Sequence, residues 1–138
     1  MLTISPTTST KRTALRSTLA TREKRLRLFT ERPWGGYTIL HSGDEVTVKI
    51  LQVNAGARLS LQRHSHRSET WYATTAGLSA QVGDEVVLLE IGKPVFVDVG
   101  KVHRIIGGAE VGYVVEIIEG VYDEDDIERL EDDYGRTS

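Results

Sequence analysis

Short β-strands separated by glycine turns place the strongest limit on how this 138-residue chain can fold. Between Tyr37 and Ile118, runs of Val, Ile, Thr and aromatic residues alternate with turns that contain Gly. The predicted strands cover residues 37–41, 46–53, 58–66, 70–75, 78–82, 86–89, 95–97, 103–106 and 111–118. This spacing predicts an all-β antiparallel sandwich or barrel, because βαβ units would need long helical connections between the strands.

The two ends of the chain depart from this pattern. Residues 1–30 are expected to be a flexible arm in front of one domain at 31–138, with residues 21–29 forming a short helix or an edge strand. Residues 125–134 predict a short C-terminal helix, because Ile127, Leu130 and Tyr134 recur at helical spacing. The arm is basic and the tail acidic, so both are expected to be solvated unless the two ends attract each other.

Composition narrows the class of function. A net charge of −3 gives no argument for nucleic acid, and the apolar runs are too short to cross a membrane. The absence of cysteine excludes a disulfide scaffold and fits a reducing compartment, so a cytoplasmic location is expected.

Four polar residues form a candidate metal site. Gln62, His64 and His66 recur with period two, which places them on one face of the predicted strand 58–66, and Glu69 follows. Amide oxygen, imidazole nitrogen and carboxylate oxygen together are a ligand set for a divalent first-row metal. A thiolate site is excluded by the lack of cysteine.

The spacing around these residues resembles the first motif of the cupins. Gly56, Gln62, His64 and Glu69 stand at the intervals of that motif, with Gln62 in place of the usual first His. The resemblance is specific because a second motif follows in the right order.

That second motif ends at His103. Gly92, Asp98, Gly100 and His103 stand at its intervals, with Asp98 in place of the usual Pro. The resemblance implies the cupin fold, a double-stranded β-helix of jelly-roll type. It also implies that a metal is held by Gln62, His64, Glu69 and His103.

Four segments resemble more closely the isomerase domain of type II mannose-6-phosphate isomerases. They are residues 32–35, 56–62, 66–71 and 125–136, within a similarity that covers roughly residues 31–136. Type II enzymes usually carry this cupin behind a guanylyltransferase domain, and the sequence resembles the isomerase module alone. The resemblance implies metal-dependent interconversion of mannose 6-phosphate and fructose 6-phosphate. Zinc is the expected metal, with cobalt, manganese, nickel or iron as alternatives, and a homodimer is expected.

The remaining site residues are assigned on chemistry. Lys49 and Arg58 are phosphate candidates on strands expected to line the barrel, although each could instead be an exposed cation at a strand edge. Arg136, with Arg129, joins them if the C-terminal segment folds over the barrel mouth. The general base is left open among His66, Lys49 and Glu116. His66 could otherwise be a metal ligand in place of Gln62, or a surface histidine at the barrel mouth.

Two other functions fit the same pattern. One is a different metal-dependent cupin enzyme: a dioxygenase, a decarboxylase, or another sugar-phosphate isomerase or epimerase. The other is a non-catalytic sugar-binding cupin. Gln62 argues against the dioxygenases, which usually keep His at that position, and cations lining the barrel would argue for a sugar phosphate.

Overall fold

The computed structural model describes residues 28–137, and within that range all regular structure is β. No helix that could cross a membrane occurs among these residues. The strands are β1 (Phe29–Arg32), β2 (Gly35–Ser42), β3 (Val46–Val53), β4 (Leu61–Arg63), β5 (Arg67–Ala73), β6 (Ser79–Val82), β7 (Glu85–Leu88), β8 (Val95–Val97), β9 (His103–Ile106), β10 (Gly112–Gly120) and β11 (Glu128–Glu131).

The strands form two antiparallel sheets, which confirms the predicted all-β jelly-roll class. The six-stranded sheet has the order β1-β2-β3-β10-β5-β8, and the five-stranded sheet has the order β11-β4-β9-β6-β7. The hairpin between β6 and β7 turns through Gly83 and Asp84, as their sequence predicts. Gly83 has φ of 61°, in the left-handed region that favours glycine.

The interior between the sheets has an apolar part and a polar part. On β3, Leu51 and Val53 are buried in the hydrophobic core, which also contains Trp34, Trp71, Leu78, Ile105 and Val114. The next inward residue along β3 is Lys49, which is also buried and stands opposite Glu116 of β10. The register therefore gathers charged side chains at one end of the interior, where burying a charge is costly unless it is paired.

The arm expected at residues 1–30 falls mostly outside the described residues. Phe29 and Thr30, which belong to the predicted arm, lie in β1 and pair with Thr38 and Tyr37 of β2. A short helix or an edge strand was expected at residues 21–29. Its last residue, Phe29, lies in the edge strand β1.

The predicted C-terminal helix is wrong. Residues Glu128–Glu131 form β11, which pairs antiparallel with β4 and covers its edge. Leu130 stays 49% exposed and Tyr134 38% exposed, so the stripe that suggested a helix has no core to pack against. Hydrogen bonds to an open strand edge, together with an ion pair from Glu128 to Arg63 at 2.8 Å, favour the strand instead.

Candidate active site

Three of the predicted metal ligands converge in the interior. His64, Glu69 and His103 each present one ligand atom, and these atoms all lie within 4.8 Å of one another. The side chains are almost fully buried, with exposures of 3% for His64, 1% for Glu69 and 2% for His103. His64 follows β4, Glu69 lies on β5 and His103 begins β9, so both sheets contribute to the group.

Backbone carbonyl groups fix how the two imidazoles are oriented. Nδ1 of His64 lies 2.6 Å from the carbonyl oxygen of Asp126, and Nδ1 of His103 lies 2.7 Å from that of Lys101. A carbonyl can only accept, so each Nδ1 carries the hydrogen and the Nε2 of a neutral ring is an acceptor. Both Nε2 atoms face Glu69 Oε1, at 2.9 Å for His64 and 3.0 Å for His103.

This convergence of lone pairs is what a cation site requires. Glu69 Oε1 and His103 Nε2 are buried without a hydrogen-bond partner, although they are close to each other. Three acceptor atoms repel one another unless a shared cation, a proton or a metal ion, lies between them. The donor set of two imidazoles and one carboxylate fits a divalent metal that keeps open positions for substrate.

Gln62 lies beside the group in a different orientation from the one expected. Its Nε2 lies 3.4 Å from Nε2 of His64, while its Oε1 accepts a hydrogen bond of 2.6 Å from Ser60 Oγ. The Gln62 oxygen can therefore act as a ligand once the amide rotates by half a turn. The four predicted ligands do lie close together, but only three of them direct a metal-ligand atom to one point.

His66 does not join this group. β4 ends at Arg63 and the chain bends at Ser65 and His66, so the period of two that relates Gln62 and His64 stops before His66. His66 is exposed, and the carboxylate of Asp126 holds the backbone amides of Ser65 and His66 at 2.8 and 3.0 Å. Of the alternatives left open for His66, the surface position is the one that the structure describes.

Lys49 and Glu116, both catalytic candidates, are buried next to His64, Glu69 and His103, which we call the metal group. Trp71 Nε1 donates a hydrogen bond of 3.0 Å to Glu116 Oε2. Burial raises the pKa of Glu116 well above its usual range, and the negative charge of Glu69 adds to this. Burial also opposes the charge on Glu69, but a hydrogen bond from Glu116 holds the pKa of Glu69 well below its usual range. The pair therefore shares one negative charge and one proton.

Two tyrosine rings enclose the amine of Lys49. Its Nζ lies 4.0 Å from the centre of the Tyr37 ring and 4.4 Å from that of Tyr122. Glu124 accepts hydrogen bonds from both phenol groups, that of Tyr122 at 3.2 Å. Burial lowers the pKa of Lys49, Glu116 opposes this shift, and Arg67 contributes to it. The amine is thus closer to a neutral base than an exposed lysine would be.

A cavity opens above these residues, and the charged part of its lining is mainly cationic. Arg32, Lys49, Arg67, Arg129 and Arg136 line it, against the two carboxyl groups of Glu116 and Glu124. Arg136 reaches the cavity from the C-terminal segment, where both oxygens of Asp132 accept its hydrogen bonds at 2.8 and 2.9 Å. Arg136 and Arg129 were phosphate candidates only if the C-terminal segment folded over the barrel mouth. The structure places that segment there.

Arg67 lines the cavity with an incomplete set of hydrogen bonds. It is 7% exposed, and its Nη2 lies 3.1 Å from Nε2 of His64. Its Nε and Nη1 are buried without any hydrogen-bond partner. The positive charge of this guanidinium at the cavity wall is suited to attract an anion.

Arg58 lies elsewhere, contrary to the expectation that it lines the barrel. It forms a two-pronged ion pair with Asp133, at 2.7 and 2.8 Å, and its side chain is 42% exposed. Arg58 follows the turn after β3 and makes only an isolated bridge to Ile106, so no strand directs it inward.

Arg67, Tyr122 and Glu124 were not anticipated from the sequence. A signal for Arg67 was present, because inward positions on β5 alternate, and Glu69 and Trp71 imply that Arg67 is inward as well. Tyr122 and Glu124 lie in the segment between β10 and β11, where no periodic pattern indicates direction. Their role depends on how that loop returns over the barrel.

The two antiparallel sheets and the buried His–Glu–His group define a cupin. A solved structure with this fold is the cupin domain of Cnp3 from Schizosaccharomyces pombe, with a TM-score of 0.58 and 12% identity over 65% of this chain and 74% of that one.

The chain belongs to the family described as the mannose-6-phosphate isomerase C-terminal domain, which matches residues 20–132. The alginate biosynthesis protein AlgA of Pseudomonas aeruginosa is 39% identical over 109 residues, which are 78% of this chain and 23% of that protein. A mannose-1-phosphate guanylyltransferase of Sinorhizobium fredii is 38% identical over 104 residues, 74% of this chain and 20% of the relative. The chain thus spans less than a quarter of the length of these relatives.

Proposed function

We propose that this chain is a metal-dependent aldose–ketose isomerase that interconverts mannose 6-phosphate and fructose 6-phosphate. The observation that carries the proposal is the position of a cation site next to a cavity lined by five cationic side chains. A sugar phosphate needs both features, one at the reacting carbonyl end and one at the phosphate end. Membership of the mannose-6-phosphate isomerase C-terminal family supports the same choice of substrate.

The phosphate is assigned to the guanidinium groups of the cavity. Arg67 brings its positive charge to the cavity wall, and Arg136 and Arg129 approach from the C-terminal segment. Arg136 is held in place by Asp132, so its position is set before an anion arrives. Guanidinium groups bind phosphate through paired hydrogen bonds, and that geometry fixes the sugar in one orientation.

The reaction moves one proton between C1 and C2 through an enediolate, and the chain must supply groups to carry it. Lys49 and Glu116 both line the cavity beside the metal group. Burial lowers the pKa of Lys49 and raises that of Glu116, so each loses its charge more readily than an exposed side chain of the same type, as a group that exchanges protons must. We assign the proton transfers to this pair and none to the exposed His66.

The metal would be held by His64, Glu69 and His103, with Gln62 as a fourth ligand after rotation of its amide. When bound, it would act as a Lewis acid that polarises the substrate carbonyl and stabilises negative charge on oxygen. Zinc suits this imidazole and carboxylate set, as do cobalt, manganese, nickel and iron. Trp71 packs edge-on against His103, with ring centres 5.5 Å apart, and helps to keep water from the site.

A coupled assay tests the proposal. The purified chain is stripped with a chelator, each divalent metal is added back, and conversion of mannose 6-phosphate to fructose 6-phosphate is followed. Turnover that is lost on stripping and restored by a metal is the expected result. Metal-loaded protein that binds but does not convert mannose 6-phosphate would identify a binding module instead. Turnover that survives complete metal removal would exclude the mechanism.

A further inference from the structure

His64 lies just beyond the end of β4, whereas Glu69 and His103 lie within strands. The pairing of β4 with β9 consists of Gln62 opposite His103, so this ladder ends before it reaches His64. The backbone amide of Gly100 donates a hydrogen bond of 2.8 Å to the carbonyl of His64, which places the main chain but not the imidazole. A metal ligand keeps one orientation only when packing and hydrogen bonds fix its side chain as well. The His64 ring therefore depends on a contact from elsewhere in the chain.

Asp126, in the segment between β10 and β11, makes that contact in two ways. Its carboxylate accepts hydrogen bonds from the backbone amides of Ser65 and His66, at 2.8 and 3.0 Å. Its own backbone carbonyl accepts the Nδ1 hydrogen of His64 at 2.6 Å. One residue thus binds both the turn that carries His64 and the imidazole itself. Because the carboxylate and the carbonyl belong to the same residue, the first sets the position of the second.

Asp126 is held on its own side by a turn and a strand. Its amide donates to the carbonyl of Asp123 at 3.1 Å, and the amide of Asp125 donates to the Asp123 carboxylate at 2.9 Å. Two residues after Asp126, β11 begins and pairs with β4, with Glu128 opposite Arg63. The register of these two strands therefore brings Asp126 to the turn that follows β4.

The other imidazole of the metal group is oriented by a local contact. Nδ1 of His103 lies 2.7 Å from the carbonyl oxygen of Lys101, two residues earlier in the chain. That hydrogen bond does not involve Asp126. The two histidines thus have the same kind of partner from different parts of the chain, and His103 serves as an internal reference for His64.

We propose that Asp126 is a positioning residue for the metal group, whose carboxylate holds the turn after β4 so that its carbonyl fixes the His64 ring with Nε2 directed toward Glu69. The inference rests on the metal site of the proposed function, but it does not depend on the isomerisation. It makes the segment between β10 and β11 part of the metal site, although that segment contributes no ligand atom to the metal group.

The chemistry of the contact requires an aspartate. Two neighbouring backbone amides need two acceptor oxygens, which a carboxylate offers and a carboxamide does not. Hydrogen bonds from amides to a carboxylate are also stronger than those between neutral groups. A carbonyl at Nδ1 keeps the hydrogen on that nitrogen, which leaves Nε2 for the metal and makes it a more basic ligand.

The first measurement is the zinc affinity of the full-length chain. The zinc-loaded protein is titrated with a chromophoric chelator that competes for the metal. Asp126→Ala removes the carboxylate and leaves the backbone carbonyl, and Asp126→Asn keeps the size but places an NH2 group against a backbone amide. Asp125→Ala is the matched control, because it removes the same charge one residue away from an exposed side chain.

The second measurement is proton NMR of the ring N–H groups in the same zinc-loaded proteins. With Nε2 on the metal, each histidine of the metal group keeps its hydrogen on Nδ1, where its exchange with water reports the hydrogen bond to the carbonyl. In Asp126→Ala the Nδ1 hydrogen of His64 should exchange at least about tenfold faster, the factor that loss of one ordinary hydrogen bond allows. The Nδ1 hydrogen of His103 should be unchanged.

Asp126→Ala should raise the zinc dissociation constant about 10–100-fold, as expected for a group that orients a ligand. Asp126→Asn should change it in the same direction, and Asp125→Ala should leave it unchanged. Near-ultraviolet circular dichroism from the buried Trp34 and Trp71 shows whether each variant is folded. If the alanine variant does not fold, Asp126→Asn carries both comparisons.

Three results would overturn the proposal. The first is a zinc affinity that falls equally in the Asp126 and Asp125 variants, which would make the effect one of charge alone. The second is an Asp126 variant in which zinc affinity or the exchange of the His64 ring hydrogen stays as in wild type. The third is a wild-type chain that binds no divalent metal. A chain that binds zinc without converting mannose 6-phosphate would contradict the proposed function and not this inference.

Discussion

Lys49 on β3 stands directly opposite Glu116 on β10, and both side chains are buried beside the metal group. Both residues point inward. The next inward pair along the same two strands, toward the core, is Leu51 and Val114, which are apolar. Burying an acid and a base at one level of a barrel is costly for folding. That cost is understandable if the pair performs proton transfer.

The first prediction concerns this pair. Lys49→Met and Glu116→Gln should each lower kcat for mannose 6-phosphate by about 10²–10⁴-fold, because each removes a group that exchanges protons with the substrate. Both variants should retain bound metal, since neither residue belongs to the group of converging ligand atoms. Metal content is measured by mass spectrometry alongside kcat. Full turnover in both variants would remove the pair from the mechanism.

The second prediction separates the metal ligands from their neighbour. His64→Ala and His103→Ala should each lose most bound metal, because each removes one of three converging donor atoms. His66→Ala is the control, since His66 is an exposed histidine two residues away, and it should keep both metal and turnover. Gln62→His should keep metal and lower turnover, because an imidazole replaces a neutral amide beside His64. Metal lost from His66→Ala would return that residue to the ligand set.

Alternation in the sequence was sufficient to predict the class of fold, and the resemblance to two spaced motifs predicted the three converging ligands. Glu69 and Trp71 lie inside and Tyr72 outside, as a period of two requires. The same rule failed for His66, because β4 has only three residues and the chain bends after it. It failed for residues 125–134 because the open edge of β4 competes with the helix for the backbone. Both errors depend on tertiary contacts that a local pattern does not contain.

The third prediction concerns phosphate binding and compares two arginines. Arg67→Lys keeps the charge but loses the planar set of donors, so KM for mannose 6-phosphate should rise by about 10–100-fold. Arg58→Lys is the matched control, because Arg58 is paired with Asp133 outside the cavity, and KM should stay unchanged. Steady-state kinetics at saturating metal provide the comparison. Equal effects from the two substitutions would mean that Arg67 does not contact the phosphate.

The fourth prediction uses two neighbouring aspartates of the C-terminal segment. Asp132 accepts three hydrogen bonds from Arg136, from its backbone amide at 2.6 Å and from its guanidinium at 2.8 and 2.9 Å. Its side chain is only 3% exposed. The hydrogen bonds from the Arg136 side chain are the main reason that the pKa of Asp132 falls to about 2. Asp132→Asn should therefore lower the free energy of unfolding at neutral pH by about 1–3 kcal/mol.

The pH dependence gives this prediction its sign. A carboxyl group whose pKa is lower in the folded chain stabilises the fold above its unfolded pKa of about 3.9, and that stability is lost as pH falls toward 2. Denaturant unfolding should thus show the largest difference between wild type and Asp132→Asn above pH 4, and a shrinking difference below it. Asp133→Asn is the control, because Asp133 is 40% exposed and its ion pair with Arg58 is screened by solvent. A difference between wild type and Asp132→Asn that does not change with pH would show that the charge of Asp132 does not hold the C-terminal segment over the cavity.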